Sequence, residues 1–434
     1  MSRTRSLRRV LGRLRTEWRR WVAPIPTTHA VTLFLLACVV FASYWRLDVF
    51  IVDTVAVANA LANVADGTLQ ISTVYYGPAD AQTPGVYAHD GRLYGRNYGH
   101  IVAALPILLA LRAVSVVAEP AILLAGVWSL GIVVVGRRLA SAFDTSRVAA
   151  VAAILGGFLF VLNVVGGAAI APRMFPLLAL QIVTLLAAGG LVATAYLLAS
   201  LFHGHRVGVA TAVATMLVGP VGFWATIPKR HLITAFLVLL TCYCFARSRV
   251  SGRLFDRALA YVPVGLTAWV SAPEGFLLLV ALGTVDLVTA DRRDLRALLA
   301  IGGVLFVSLL PFFVTNLLIS GNPLQPPRLL TSYRGGGASV SSQPTVAPSN
   351  PAEPIGGDDP PPENGNAGGG QTDGGSDGTP GGESDTPTPT PTGETPADGP
   401  PATPSIGTGI ATVVATLASL LDRVLSQFGR GIEA

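Results

Sequence analysis

The sequence predicts an all-α polytopic membrane protein, and three observations support this fold class. Hydrophobic residues make up 51% of the 434 residues, charged residues make up only 13%, and the mean hydropathy is +0.56. Apolar runs long enough to cross a bilayer recur between residues 28 and 318. Residues 1–20 contain eight arginines and one glutamate directly before the first of these runs. These features exclude a soluble single-core domain and indicate a multi-pass protein of the cell membrane.

The basic N-terminal segment, residues 1–27, sets the predicted orientation. Arginine-rich segments beside a span remain in the cytoplasm under the positive-inside rule, so we expect a cytoplasmic N terminus. The same segment is suited to contact anionic membrane lipid. Nucleic-acid binding is the competing interpretation of a basic run, but its position just before a span argues against a nucleic-acid partner.

The polytopic membrane domain, residues 28–330, is predicted to contain about nine transmembrane helices. If every apolar run crossed the membrane, several arginine-rich loops would lie outside the cell. If residues 101–117 instead form a surface helix on the outer face, the predicted topology places all the arginine-rich loops in the cytoplasm. This run also carries Pro106 and Arg112, which are unfavourable in a span. The predicted spans lie near residues 28–45, 119–136, 147–166, 177–201, 207–226, 232–246, 257–272, 275–290 and 297–319.

Two further segments follow the membrane domain. Residues 333–405 are rich in Pro, Gly and Thr and hold ten acidic residues against one arginine, which predicts a disordered extracellular linker. Residues 406–434 contain a periodic apolar stretch, which predicts an amphipathic or marginally spanning helix. The sequence ends without a capping element after this helix, so we expect it to be truncated relative to a fuller protein.

The outer loop at residues 46–98 is the main polar segment of the membrane domain. Residues 53–64 place apolar side chains at helical spacing, which predicts a short helix that begins at Asp53. Asp90-Gly91 lies between two short β-like segments and suits a type I′ hairpin, since both turn residues need a positive φ. The hairpin is explained by a structural capping role or by a functional one. Asp53 either offsets the unpaired N–H groups of its helix or acts as a catalytic carboxylate.

A second polar segment, Lys229-Arg230-His231, is predicted to lie on the outer face between two spans. Lys229 is the only lysine of the chain. Three adjacent donors at the start of a helix favour a clamp for a phosphate group. The alternative is that these side chains extend to the lipid headgroups without binding a specific ligand.

Three of these features resemble the GT-C superfamily of membrane glycosyltransferases, near its protein-mannosyltransferase and aminoarabinose-transferase branch, over residues 28–330. Asp53 matches an acidic residue that follows the first span and begins a helix, and residues 90–94 match a hairpin with Gly and Tyr. Tyr98-Gly99-His100 lies where the family often has His or Lys before prolines. The sequence departs from the pattern because Asp53 is not one of an acidic pair and the following prolines are replaced by Pro106 further on.

The resemblance implies transfer of a sugar from a lipid-phosphate-linked donor at the outer face to a glycan or protein acceptor. Asp53 would act as the general base. The chain would need membrane lipid and the lipid-linked sugar as partners. The sequence indicates no cofactor and no metal site, and it leaves open whether the reaction needs a divalent metal. The donor phosphate would be bound by Lys229, Arg230, His231, Arg92 and Arg96. The sugar or the acceptor would contact Tyr87, Tyr94, Tyr98 and His100, although the tyrosines also suit an interfacial aromatic belt.

Two other functions are compatible with parts of the sequence. A transporter would place charged residues near the middle of the spans, and the predicted spans carry almost none. A non-catalytic anchor for an extracellular stalk would need only the spans and the C-terminal segments. That function leaves the polar outer loop unexplained.

Overall fold

A computed structural model describes residues 27–48, 51–290, 293–335 and 341–346. The basic segment before residue 27, residues 347–405 of the predicted linker and the predicted helix in residues 406–434 lie outside this description. In chain order the helices are α1 (Thr27–Ala42), α2 (Asp53–Ala65), α3 (Tyr98–Val114), α4 (Pro120–Ala142), α5 (Ser146–Gly166), α6 (Phe175–His203), α7 (His205–Leu217), α8 (Gly219–Ala225), α9 (Arg230–Ser251), α10 (Leu254–Leu259), α11 (Val262–Val270), α12 (Ala272–Thr289) and α13 (Leu295–Ser320).

The helices are those of a multi-pass membrane protein. Among the described residues, six helices are long and apolar enough to cross a membrane, namely α4, α5, α6, α9, α12 and α13. The count rises to seven if α7 and α8, which are bent by 63° at their junction, form one span. Helices α1 and α3 are apolar but shorter, and the run predicted as a span at residues 257–272 is divided between α10 and α11.

Proline and glycine mark several of the helix boundaries. Pro120, Pro263 and Pro273 lie in the first turns of α4, α11 and α12, where a missing N–H group costs nothing. Gly252 and Gly321 end α9 and α13 with φ values of 64° and 70°, which glycine adopts without strain. These residues explain why the apolar stretches are divided into separate helices where they are.

Helix α2 is nearly all buried and organises the loop that follows α1. Its Asn59 side chain accepts hydrogen bonds from the backbone N–H groups of Tyr75 (2.9 Å) and Tyr76 (3.0 Å) and donates to the Tyr76 carbonyl (2.9 Å). One turn later, Asn63 accepts from the N–H groups of Ser72 (3.1 Å) and Thr73 (3.0 Å). The two amides therefore fix strand β1 (Thr73–Tyr76) along the helix.

A small antiparallel sheet lies at the same end of the molecule. Strands β2 (Tyr87–His89) and β3 (Arg92–Tyr94) pair around Asp90-Gly91, whose φ values of 49° and 70° are those that a type I′ turn requires. Strand β4 (Thr331–Ser332), which follows α13, pairs with β2 from the other side. We call the end of the helix bundle that carries α2 and this sheet the loop end.

The predicted linker begins within the fold. The backbone N–H of Tyr333 donates to the Val86 carbonyl (3.1 Å), and strand β5 (Ser341–Val346) pairs in parallel with β1. The expectation of a disordered segment from residue 333 onward is thus wrong for residues 333–335 and 341–346. The physical reason is that β1 offers an unpaired strand edge, which even a polar extended segment can pair with through its backbone.

Candidate functional site

The candidate site is centred on the carboxylate of Asp53, the first residue of α2. Lys229 Nζ donates a hydrogen bond to Asp53 Oδ2 at 2.6 Å, and Arg96 Nη2 lies 2.5 Å from the same oxygen. The three side chains come from α2, from the segment between β3 and α3, and from the residue before α9. Asp53 and Lys229 are 176 residues apart in sequence, so the fold joins the two polar segments that the sequence singles out.

A buried glutamine on α6 holds two of these segments in place. Gln181 is fully buried, and its amide group donates to the carbonyls of Arg46 and Thr226, at 2.9 Å each. Its oxygen accepts from the Trp45 indole N–H at 2.6 Å. Residues 45–46 lead into the loop that carries Asp53, and Thr226 precedes Lys229. Gln181 therefore fixes both loops to one helix, a role that no local sequence pattern signals.

Two glycines and an unusual backbone conformation position Arg96. At Gly85, where φ is 94°, a Cβ atom would lie 2.8 Å from Arg96 Nε. At Gly95, a Cβ atom would lie 2.7 Å from the Ala60 side chain on α2. Asn97 adopts the left-handed conformation, with φ of 59°. This geometry packs the guanidinium against backbone, and Arg96 Nε is buried without a hydrogen-bond partner.

A second ion pair lies directly beside the first in sequence. Arg230 Nη2 is 3.1 Å from Glu274 Oε1, and the Thr234 hydroxyl donates to Glu274 Oε2 at 2.9 Å. This pair ties the start of α9 to the start of α12. We call Asp53, Arg96, Lys229, Arg230 and Glu274 the Asp53 cluster. Its three cations and two carboxylates leave one excess positive charge. Glu274 is not among the site residues that the sequence predicts, because a glutamate after a proline at a helix start also suits simple capping.

The environment of Asp53 keeps its carboxyl group ionised. Partial burial raises the pKa of Asp53, but the hydrogen bonds and charges of Lys229 and Arg96 outweigh that effect and lower the pKa below its usual value. Asp53 is about 30% exposed, so its carboxylate remains accessible from solvent. Asp53 lies in the first turn of α2. Its carboxylate contacts the side chains of Lys229 and Arg96.

The remaining predicted phosphate ligands lie around the cluster. The His231 ring packs edge-on against the Trp224 ring, with a centroid distance of 4.8 Å. Arg92 is exposed on β3, opposite His89 in the hairpin register. Within the described part of the chain, no ion pair joins Arg92 to Asp53. The structure thus brings Lys229 and Arg96 onto Asp53, places Arg230 and His231 next to them in sequence, and leaves Arg92 on the hairpin.

The four predicted sugar or acceptor contacts are placed less favourably. His100 is 1% exposed, its Nε2 lies 3.2 Å from the Leu180 carbonyl, and burial lowers the pKa of His100 to about 4. The Tyr98 hydroxyl donates to the Leu69 carbonyl at 2.6 Å, and Tyr94 is 5% exposed. Tyr87 is partly buried opposite Tyr94. His100 is therefore enclosed by protein, whereas Tyr98 is buried but also lines the cavity described next. Substrate contact at these four positions stays a prediction.

A cavity of about 450 Å³ is lined by residues that are close in sequence to members of the Asp53 cluster. Asn97 directly follows Arg96, and Ser271 lies three residues before Glu274. Asn97 Oδ1 and Ser271 Oγ are buried without hydrogen-bond partners. The rest of the wall is largely apolar and aromatic, with one cation, and includes Trp269, Phe276, Phe312, Leu324 and Arg328. The cavity thus combines apolar surface with unused polar atoms.

Metal chemistry has no matching ligand set in the described residues, where no group of three or more His, Cys, Asp or Glu side chains converges. Comparisons with protein-family models, with curated protein sequences and with solved structures found no match. The function must therefore be argued from the geometry of the site itself.

Proposed function

We propose that this chain is an integral membrane glycosyltransferase that transfers a sugar from a lipid-phosphate-linked donor. The observation that supports the proposal most is the contact of Asp53 with both Arg96 and Lys229. A carboxylate of lowered pKa and two cations meet at one end of a helical membrane domain, in the arrangement that the GT-C resemblance implies. Base and phosphate ligands are the two groups that this reaction needs within reach of each other.

The chemistry follows from these groups. The acceptor hydroxyl attacks the anomeric carbon of the donor, and Asp53 takes the hydroxyl proton as the new bond forms. The bond between the anomeric carbon and the phosphate oxygen breaks, and the lipid monophosphate leaves with the electron pair. Lys229 and Arg96 stabilise the negative charge that develops on this phosphate.

The ion pairs also couple donor binding to base strength. In the free protein, Lys229 and Arg96 neutralise Asp53 and make it a weak base. A donor phosphate competes for the same two cations and draws them away from the carboxylate. Asp53 then becomes more basic only when a donor is present, which limits loss of the sugar to water. The neighbouring cavity, with Arg328 and apolar walls, suits the acceptor or the remainder of the donor.

We further propose that the chain crosses the membrane nine times, with the N terminus in the cytoplasm and the loop end and linker outside. The contacts of α12 support this count. Its start pairs with Arg230 at the loop end, whereas Asp286 near its other end binds Arg249 and Arg257. Residues between Arg257 and Ser271 therefore lead from one end of the bundle to the other. Helices α10 and α11 together then act as one broken span, and α1 and the α7–α8 pair complete the nine.

The proposal is tested first by binding of the leaving group, since a polyprenyl monophosphate is common to donors of any sugar. With the purified full chain in detergent, Lys229→Gln and Arg96→Gln should each weaken binding by roughly tenfold, as expected for loss of a charged hydrogen bond. Asp53→Asn should tighten binding, because it frees both cations. Arg112→Gln is the matched control, since it removes a loop-end arginine that pairs with Asp66 instead.

Transfer is tested with a panel of polyprenyl-phosphate sugars and membrane extract as acceptor. Loss of the general base in Asp53→Asn should slow transfer by about 10²–10⁴-fold while binding is retained. The test is specific because Asp53→Asn should tighten binding of the polyprenyl monophosphate, whereas Lys229→Gln should weaken it. Equal weakening by Asp53→Asn and Lys229→Gln, or no effect of Lys229→Gln, would refute the assignment.

A further inference from the structure

A larger cavity lies at the end of the bundle opposite the Asp53 cluster. Its volume is about 940 Å³, and it lies among the first turns of α1 and α7 and the last turns of α4. Helix α6 separates the two sites, since its first half carries Gln181 beside the loop end and its last residue, His203, is followed by α7. The 29 residues of α6 correspond to about 43 Å at the rise of an α-helix. The cavity therefore faces the other side of the membrane.

The polar wall of this cavity is entirely cationic or neutral. It contains Arg137, Arg138 and Arg206, together with His29 and His205. Among the residues that the structure describes, no aspartate or glutamate lines it, and no salt bridge joins these arginines to a carboxylate. This differs from the Asp53 cluster, where each of the three cations contacts one of two carboxylates.

Two helix N-termini add to the positive potential. Helices α1 and α7 both begin at the cavity, and the N-terminal N–H groups of a helix favour an anion. The histidines at these two helix starts are in contact, with the rings of His29 and His205 4.3 Å apart. The Tyr196 hydroxyl forms a hydrogen bond with His205 Nδ1 at 3.1 Å. The two helix starts therefore face one shared space.

The remaining wall is apolar and continues along the helices toward the bilayer interior. It includes Leu33 on α1, Val134 and Leu139 on α4, and Val209 on α7. Phe143, at the rim, is 71% exposed. A free phosphate ion would use only the cationic rim. A molecule with a phosphate head and an acyl chain would use both parts of the wall.

We propose that this cavity is a binding site for one anionic glycerophospholipid. The headgroup phosphate lies among Arg137, Arg138 and Arg206, and an acyl chain follows the surface formed by Leu33, Leu139 and Val209. The chain's own N-terminal segment is a poor occupant, because its first 20 residues carry eight arginines and would be repelled. That segment instead strengthens the attraction of this membrane face for anionic lipid. The assignment is independent of the glycosyltransferase proposal, since the two sites share no residue.

The test measures lipid binding to the purified full chain by native mass spectrometry, with phosphatidylglycerol and phosphatidylcholine of identical acyl chains. The wild type should bind phosphatidylglycerol at least roughly tenfold more tightly, given the expected contribution of each arginine near a lipid phosphate. A triple variant, Arg137→Gln, Arg138→Gln and Arg206→Gln, should lose this preference. Each single variant should weaken binding by about fivefold, which keeps the test valid if the triple variant fails to fold.

The matched control replaces three exposed arginines elsewhere at the same end of the bundle, Arg147, Arg253 and Arg296, by glutamine. It should keep the preference for phosphatidylglycerol. If the control and the cavity variant lost the preference for phosphatidylglycerol equally, the preference would come from general surface charge, and the proposed site would be refuted. Competition by millimolar inorganic phosphate without any difference between the two lipids would make it a phosphate site and would also overturn the proposal.

Discussion

Two aspartates of this protein each pair with two cationic side chains but differ sharply in burial. Asp53, at the loop end, holds Arg96 and Lys229 and is 30% exposed. Asp286, toward the opposite end, holds Arg249 and Arg257 at 2.7 and 2.8 Å and also accepts from the Tyr261 hydroxyl, but is only 2% exposed. Two cations on one carboxylate therefore indicate a functional site only where, as at Asp53, the carboxylate is also accessible.

The difference in burial separates the two roles. At Asp286 the Tyr261 hydroxyl adds a further donor to a carboxylate that is only 2% exposed, so this carboxylate is not accessible from solvent. At Asp53 part of the carboxylate faces solvent, whereas a buried arginine Nε without a hydrogen-bond partner occurs in both networks, at Arg96 and at Arg249. The first arrangement joins helices α9, α10 and α12 to Tyr261, the residue before α11. The second leaves capacity for a ligand, and the following predictions test this contrast.

The largest effect is expected from removal of the buried carboxylate. Asp286→Ala leaves two arginines without their counter-charge and should destabilise the protein by about 3–5 kcal/mol. Asp53→Ala breaks a partly exposed pair and should cost about 1 kcal/mol or less. Thermal unfolding of the purified variants in one detergent measures both. Equal losses would mean that the two networks have the same structural role.

A smaller loss of stability is expected at Gln181. Gln181→Leu keeps the volume of the side chain but leaves the Trp45 indole and the carbonyls of Arg46 and Thr226 without their partner, which should cost about 1–3 kcal/mol. The variant should also weaken binding of a polyprenyl monophosphate, since the loops of Asp53 and Lys229 lose their common support. The control is Thr184→Val on the same helix, whose hydroxyl bonds only within α6, to Leu180. Similar effects of Gln181→Leu and Thr184→Val would show that Gln181 has no special role in positioning the site.

The contrast between the two aspartates also depends on Arg96, whose position can be changed through Gly85. Both Gly85 and Gly91 have positive φ, of 94° and 70°, but a Cβ atom contacts Arg96 only at Gly85 and meets nothing within 4 Å at Gly91. Gly85→Ala and Gly91→Ala should therefore share a backbone cost of about 1 kcal/mol. Only Gly85→Ala should also weaken binding of a polyprenyl monophosphate. Unchanged binding in Gly85→Ala would show that Arg96 does not contact the ligand.

Sequence reasoning located the polar segments of the loop end but not the supports that position them. Asp53 stands out because it follows the first apolar run, and Lys229 stands out because it is the only lysine of the chain. The structure brings the two into contact. Gln181, Asn59 and Asn63 gave no signal. Their role depends on which backbone groups reach them after folding, and neither spacing nor composition encodes that.

The burial of the His100 and Tyr98 rings could not be predicted for a related reason. Both residues belong to a polar, aromatic stretch, and residue type alone cannot tell a ring that faces a substrate from one buried against α6. The start of the linker failed differently, because β5 pairs through its backbone. A strand edge accepts almost any extended segment, so composition gives no warning of such pairing.

The smallest effect concerns the pH dependence of the Asp53 ion pairs. The pKa of Asp53 is lowered in the folded protein relative to about 3.9 in an unfolded chain. A lowered pKa means that the ionised carboxylate stabilises the fold above the unfolded pKa, and that this contribution is lost as the pH falls through the folded value. The stability difference between wild type and Asp53→Asn should thus be constant from about pH 7 to pH 5 and decrease only below about pH 3.9. Thermal unfolding of both proteins across this range measures it. A decrease already between pH 7 and pH 5 would mean a raised pKa, which suits a proton donor and contradicts the role of Asp53 as an ionised base.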